Sequence, residues 1–143
     1  MKIGIASDHG GFELKQFLKN FLLKKNVVIE DFGCESEHSV DYPDYAKKLC
    51  NAILSGKIER GILICGTGIG MSITANRFKG IRATLCNDLF SAKMSRKHNN
   101  SNVLCVGGRI VGKELAKEIV EVWLNEKFEG ERHIRRLKKI DES

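Results

Sequence analysis

Short apolar runs alternate with longer amphipathic stretches along the whole chain, and most apolar runs give way to a turn rich in glycine or polar residues. Residues 2–6, 27–32, 61–65, 81–86 and 103–106 read as five strands, each too short for a helix and rich in Ile, Val, Leu or Cys. Between and after them, residues 12–25, 41–54, 70–78, 88–97, 111–124 and 129–140 read as helices. The first carries apolar Leu14, Phe17, Leu18, Phe21 and Leu22 at helical spacing. Pro43 falls in the first turn of the second helix, where a missing N–H costs nothing.

Strict β-α alternation predicts a mostly parallel sheet, covered by helices on both faces and wound with right-handed crossovers. The expected fold is therefore α/β: one Rossmann-like three-layer domain over residues 1–143, with a five-stranded parallel sheet and an added C-terminal helix. No linker, repeat or low-complexity stretch interrupts the pattern. In such sheets ligands collect at the carboxyl edge, which directs attention to the turns after the strands.

Composition narrows the partners. A formal charge of +6 suits nucleic acid or an anionic metabolite equally, but Lys and Arg are scattered among acids except over residues 132–139. Aromatic residues make up only 7% and do not interleave with basic ones, so no nucleic-acid role is expected. No apolar run has the length of a membrane helix, and the first residues begin a charged strand rather than a secretory signal; a cytoplasmic protein without membrane contact is the expectation. The five cysteines are odd in number and contain no C-x-x-C pair, which speaks against a disulfide framework or a zinc site. Buried reduced thiols are expected, with Cys65 set apart.

Cys65-Gly66-Thr67-Gly68-Ile69-Gly70 places a thiol at the end of a buried strand and alternating glycines before a helix. Such glycines let main-chain N–H groups converge on an anion, and the same field favours thiolate over thiol, making Cys65 a candidate base or nucleophile. Two nucleotide motifs and a thiol-phosphatase motif all fail here, because Met71 stands where the dinucleotide fingerprint needs glycine and the phosphatase needs arginine, and no Gly-Lys-Ser/Thr follows.

Other candidates lie at further turns. Ser7-Asp8-His9-Gly10-Gly11 closes the first strand, where Asp8 either caps the next helix or enters the pocket with His9. Asp41-Tyr42-Pro43-Asp44 reads first as an N-cap with a packed aromatic, and His98-Asn99-Asn100 as a helix stop or a sugar contact. Gly107-Gly108-Arg109 offers close approach and a bidentate phosphate donor. Arg132 and Arg136, four apart, share one helix face and form either a solvated basic surface or a clamp for a dianion.

Taken together, these segments and Gly130-Glu131-Arg132-His133 closely resemble, nearly end to end, ribose-5-phosphate isomerase of type B and the related galactose-6-phosphate and allose-6-phosphate isomerases. The resemblance implies a cofactor-free and metal-free aldose–ketose isomerase in which Cys65 shuttles a proton between C1 and C2. It further implies that the amides of Gly66, Gly68, Ile69 and Gly70 hold the enediolate oxygen. The residue matching His98 helps open the furanose ring, Thr67 and Asp8 assist around the ring oxygen and hydroxyls, and Tyr42 and Asn99 line the pocket. Phosphate falls to His9, Arg109, Arg132 and Arg136. A homodimer or dimer of dimers, with pockets shared between subunits, is also implied. A six-carbon phosphosugar is the alternative substrate, and a flavodoxin-like nucleotide-binding module the non-enzymatic alternative. Charge that develops on an oxygen can be stabilised by main-chain donors, so the scheme asks for no metal.

Overall fold

The computed structural model describes residues 1–143. The strands are β1 (Lys2–Ser7), β2 (Val28–Asp31), β3 (Arg60–Cys65), β4 (Ala83–Leu85) and β5 (Val103–Gly107), and the helices are α1 (Phe12–Lys24), α2 (Tyr42–Leu54), α3 (Ile69–Ala75), α4 (Leu89–Lys97), α5 (Lys113–Asn125) and α6 (Arg132–Asp141). All strand pairs are parallel, in the order β2-β1-β3-β5-β4. The chain thus passes from β3 to the far edge and returns inward to β5, unlike the 2-1-3-4-5 order of flavodoxin-like folds.

The central strands β1, β3 and β5 are buried on both faces, as their continuous apolar runs require. Ile3, Ile5, Ile62, Ile64, Leu104 and Val106 face one core with Leu14, Leu18 and Leu22 of α1, Ala92 of α4 and Ile119, Val120 and Trp123 of α5. Ala6, Leu63, Cys65, Val103 and Cys105 face the other, against Ala46, Leu49 and Cys50 of α2 and Met71 and Ala75 of α3. The expected three layers are therefore present, with helices on both faces of five parallel strands.

Among the elements shorter than expected are β2, α3 and β4. Asn76 ends α3, and its side-chain amide both donates to the Ala83 carbonyl (3.0 Å) and accepts from the Ala83 N–H (2.8 Å). Asn102 similarly accepts from the Arg82 N–H at 2.8 Å. At Arg82 a side chain thus stands in for a ladder partner, and β4 keeps three residues where six were expected.

A buried Lys15 crosses from α1 to the end of β2, donating to both oxygens of Asp31 (2.8 and 3.0 Å) and to the Cys34 carbonyl. No helix is long and apolar enough to cross a membrane.

Candidate active site

At the carboxyl edge of the sheet, the turns after β1, β3 and β5 interlock. The Gly108 N–H donates to the Cys65 carbonyl (2.8 Å), the Arg109 N–H to the Gly66 carbonyl (3.0 Å), and the Asp8 N–H to the Ile64 carbonyl (3.2 Å). A β-carbon at Gly108 would lie 2.8 Å from the Gly10 carbonyl oxygen, so only glycine lets the first and third turns meet.

Cys65 ends β3 almost fully buried, and its sulfur accepts a hydrogen bond from the Gly68 N–H at 3.1 Å. Gly68 is the N-cap of α3 at φ 82°, a left-handed conformation that side chains disfavour. A β-carbon there would stand 2.6 Å from Leu85 Cδ1 and 2.9 Å from the Val106 carbonyl carbon. The Ile69 amide is also engaged, donating to Thr67 Oγ1 at 3.2 Å. The first intrahelical bond runs from Ser72 N–H to the Gly68 carbonyl (3.1 Å), so the Gly70 amide precedes it.

Other thiols differ in kind. Burial pushes the Cys50 thiol up to about 12 and raises Cys86 and Cys105 as well, which keeps those sulfurs protonated and inert. None of the five is paired.

Around Cys65 the turn is dressed by three of the expected side chains. Arg109 lies over Gly66, its Nη1 3.2 Å from where a β-carbon would stand, and the Tyr42 ring lies against Gly70. His9 Nδ1 accepts from the Val40 N–H at 3.1 Å, so the neutral ring carries its proton on Nε2, free to donate. His9, Gly10, Gly108 and Arg109 line a cavity of about 400 Å³, together with Glu13, Glu37 and Lys113. Asp8 caps the turn: its Oδ1 accepts from the Gly11 N–H at 3.1 Å, the structural of its two readings.

The remaining expected residues lie at the opposite edge. α4 runs back from the end of β4, so His98, Asn99 and Asn100 sit beside the starts of β4 and β5. Arg82, just before β4, donates through Nε to the Asn99 and Asn100 carbonyls (3.0 and 3.3 Å). Arg96 donates to Asn100 Oδ1 (3.0 Å) and to the Ser101 carbonyl, and desolvation, with help from Arg60 and Arg82, brings its pKa down to about 10. The 98–101 turn is therefore clamped by two guanidinium groups. From Val103 to Gly107 are four residue steps, about 13 Å at the usual strand rise, which separates this group from Cys65 within one chain. A cavity of about 420 Å³ at this edge is lined by Arg77, Arg82, Asn99 and Asp141 among others.

α6 packs here too. His133 and Leu137 are buried, whereas Arg132 and Arg136 are exposed on its outer face. The His133 ring stacks on His98 with centroids 4.3 Å apart and planes 18° apart, and His98 Nε2 lies 3.6 Å from Glu129 Oε1. Desolvation, then the nearby Arg132 and His98, hold the His133 pKa below the usual histidine value. From the sequence, His133 enters only within the Gly130–His133 stretch and without a role, and Glu129 not at all. The available signal is that His133 precedes Leu137 by four, on the inward side of a strongly basic helix.

Residues 3–140 match the model of a family described as Ribose/Galactose Isomerase. A ribose-5-phosphate isomerase B of Escherichia coli is 48% identical, over 97% of this chain and 93% of the relative. Among solved structures, a ribose 5-phosphate isomerase of Thermotoga maritima superposes with a TM-score of 0.98 at 56% identity, covering 99% of this chain and 98% of that one. Ribose-5-phosphate isomerase B of Clostridium thermocellum also superposes with a TM-score of 0.98, at 51% identity and with 99% and 96% covered. With residues 3–140 matched by the family model and nearly the full length shared with these relatives in sequence and fold, this chain belongs to the ribose/galactose isomerase family.

Proposed function

We propose that this chain interconverts ribose 5-phosphate and ribulose 5-phosphate, with Cys65 as the base. The observation that carries the reading is a sulfur at the end of β3 that already accepts a main-chain hydrogen bond, beside a turn overlaid by Arg109. The thiolate removes the proton from C2 of the open-chain aldose, the electron pair forms the C1–C2 double bond, and negative charge passes to O1. The thiol then returns the proton to C1 while the O2 hydrogen is transferred to O1, leaving the ketone at C2. The Gly66, Thr67 and Gly70 amides are the donors assigned to the enediolate, with Asp8 and Thr67 at the hydroxyls and His9 and Arg109 at the phosphate.

A second copy completes each site in this reading. Cys65 and His98 lie at opposite edges of one sheet, and His98 can serve as the ring-opening group only for a neighbour's Cys65. Arg132 and Arg136, exposed beside His98, then clamp the neighbour's phosphate, and Asn99 lines its pocket. Apolar Ile69, Ile73, Phe90 and Ile110 are 51%, 57%, 71% and 55% exposed, and contact with a second copy would cover them. The full 143 residues act as one catalytic domain. Five unpaired thiols suit a reducing, cytoplasmic setting.

Turnover of ribose 5-phosphate in D₂O with a chelator present tests both substrate and base. The expected product is ribulose 5-phosphate with some deuterium at C1. No turnover, loss of turnover on chelation, or strict retention of the original hydrogen overturns the reading. A parallel panel of six-carbon aldose 6-phosphates decides between substrate lengths.

A further inference from the structure

We propose that His98, Glu129 and His133 form a binding site for a divalent first-row transition ion, Zn²⁺ foremost, and that an ion held there inhibits the isomerisation. The binding claim stands on geometry alone, whereas the inhibition rests on the role proposed above for His98.

Three side chains with metal-ligand chemistry converge at one place in the chain, and their ligand atoms all lie within 4.8 Å of one another. They come from two segments joined by a hydrogen bond from the Glu129 N–H to the Lys97 carbonyl at 3.0 Å. A second, independent feature points to a ligand. His133 is only 5% exposed, and its Nε2 is fully buried with no hydrogen-bond partner. Buried ring nitrogens are ordinarily paired, so an orphan nitrogen on a ring packed beside a carboxylate and a second imidazole is a position open to a ligand.

Two imidazoles and one carboxylate, with a fourth position open, are a zinc-type donor set and a poor one for Ca²⁺ or Mg²⁺, which take oxygens. Bond lengths near 2.0–2.1 Å put ligand atoms about 3.3 Å apart in a tetrahedral site, so the cluster must tighten by roughly 1.5 Å at most. Burial fixes His133, but His98 is half-buried and Glu129 exposed, so both have room to close. Stacked rings cannot both aim lone pairs at one ion. Ligation therefore turns His98 off the His133 face, and a ring bound to metal through its lone pair no longer exchanges a proton with a sugar. Arg132 and Arg136 oppose a cation here, and the Glu129 carboxylate offsets them in part.

Co²⁺ and Zn²⁺ serve as probes on the full-length, chelator-stripped protein. Expected are one Co²⁺ per chain with visible d–d absorption of low-symmetry coordination, no thiolate-to-cobalt charge-transfer band, and displacement by Zn²⁺. Zn²⁺ should inhibit turnover of ribose 5-phosphate, reversibly by chelator. Glu129→Gln and His133→Gln should each raise the half-inhibiting Zn²⁺ concentration about tenfold or more, relative to the variant's own uninhibited rate. Should His133→Gln fail to fold, the exposed Glu129→Gln carries the test. Absence of saturable Co²⁺ absorption, or a thiolate band in its place, overturns the site. Unchanged Zn²⁺ sensitivity in both variants overturns its part in inhibition. Co²⁺ binding that is lost in the variants, in a protein that never turns over ribose 5-phosphate, sinks the functional reading and leaves the site standing.

Discussion

The Gly68 N–H donates to the Cys65 sulfur at 3.1 Å, which ties the last residue of β3 to the N-cap of α3 around the proposed reactive atom. Gly68→Ala strains this turn twice, through its φ of 82° and through contact with Leu85 and Val106. A loss of about 1–3 kcal/mol in unfolding free energy is expected, together with a lowered kcat. Denaturant melts and steady-state kinetics check both, and a variant as stable as the parent would contradict the geometry of the turn.

Removing the base should separate chemistry from binding. Cys65→Ala is expected to lower kcat by about 10²–10⁴, the usual worth of a positioned general base, while ribose 5-phosphate still raises the melting temperature. Turnover at the parental rate would exclude the thiol from the reaction.

Opposite placement of Cys65 and His98 makes a complementation test decisive. Cys65→Ala and His98→Ala are each expected to be nearly inactive. Subunits refolded together at equal ratio should recover about a quarter of wild-type activity, since half the dimers are mixed and each mixed dimer has one intact site. Mixtures that stay inactive would argue that each site is built from one chain.

The Lys15–Asp31 pair gives a pH signature. Burial opposes ionisation of Asp31, but hydrogen bonds from Lys15, Lys19 and the Gly33 amide outweigh it, so the carboxyl titrates below its ordinary value. A lowered folded-state pKa adds stability that is complete above the unfolded value, about 3.9, and disappears as pH falls through the folded one. Asp31→Asn should therefore cost about 1–3 kcal/mol at pH 7, because buried Lys15 loses its counter-charge. The gap should close in strong acid. Chemical denaturation across pH 2.5–7 measures it, and a gap that persists at the acid end would count against the pair.

Much of the architecture is legible in the chain itself. Continuous apolar runs at β1, β3 and β5 announce strands covered on both faces, and the glycines after β3 and β5 mark the turns that interlock at Cys65. Edge elements are harder, because their bonds are made by distant side chains: nothing local in residues 81–86 reveals that Asn102 will bind the Arg82 N–H or that Asn76 will cover the outer side of Ala83. The separation of His98 from Cys65 within one chain follows from a helix running back along its sheet, which motif reading alone does not reveal; only the resemblance, with its pockets shared between subunits, joins the two residues. Glu129 and His133 stay hidden for a related reason. Their partner, His98, is 31 and 35 positions earlier, and only the docking of α6 brings the rings together.

The Asn76 amide occupies both the N–H and the C=O of Ala83, the first residue of the outermost ribbon. An incoming extended segment finds no rail there to zip onto. Strand addition by a neighbouring copy is thereby opposed where that margin begins.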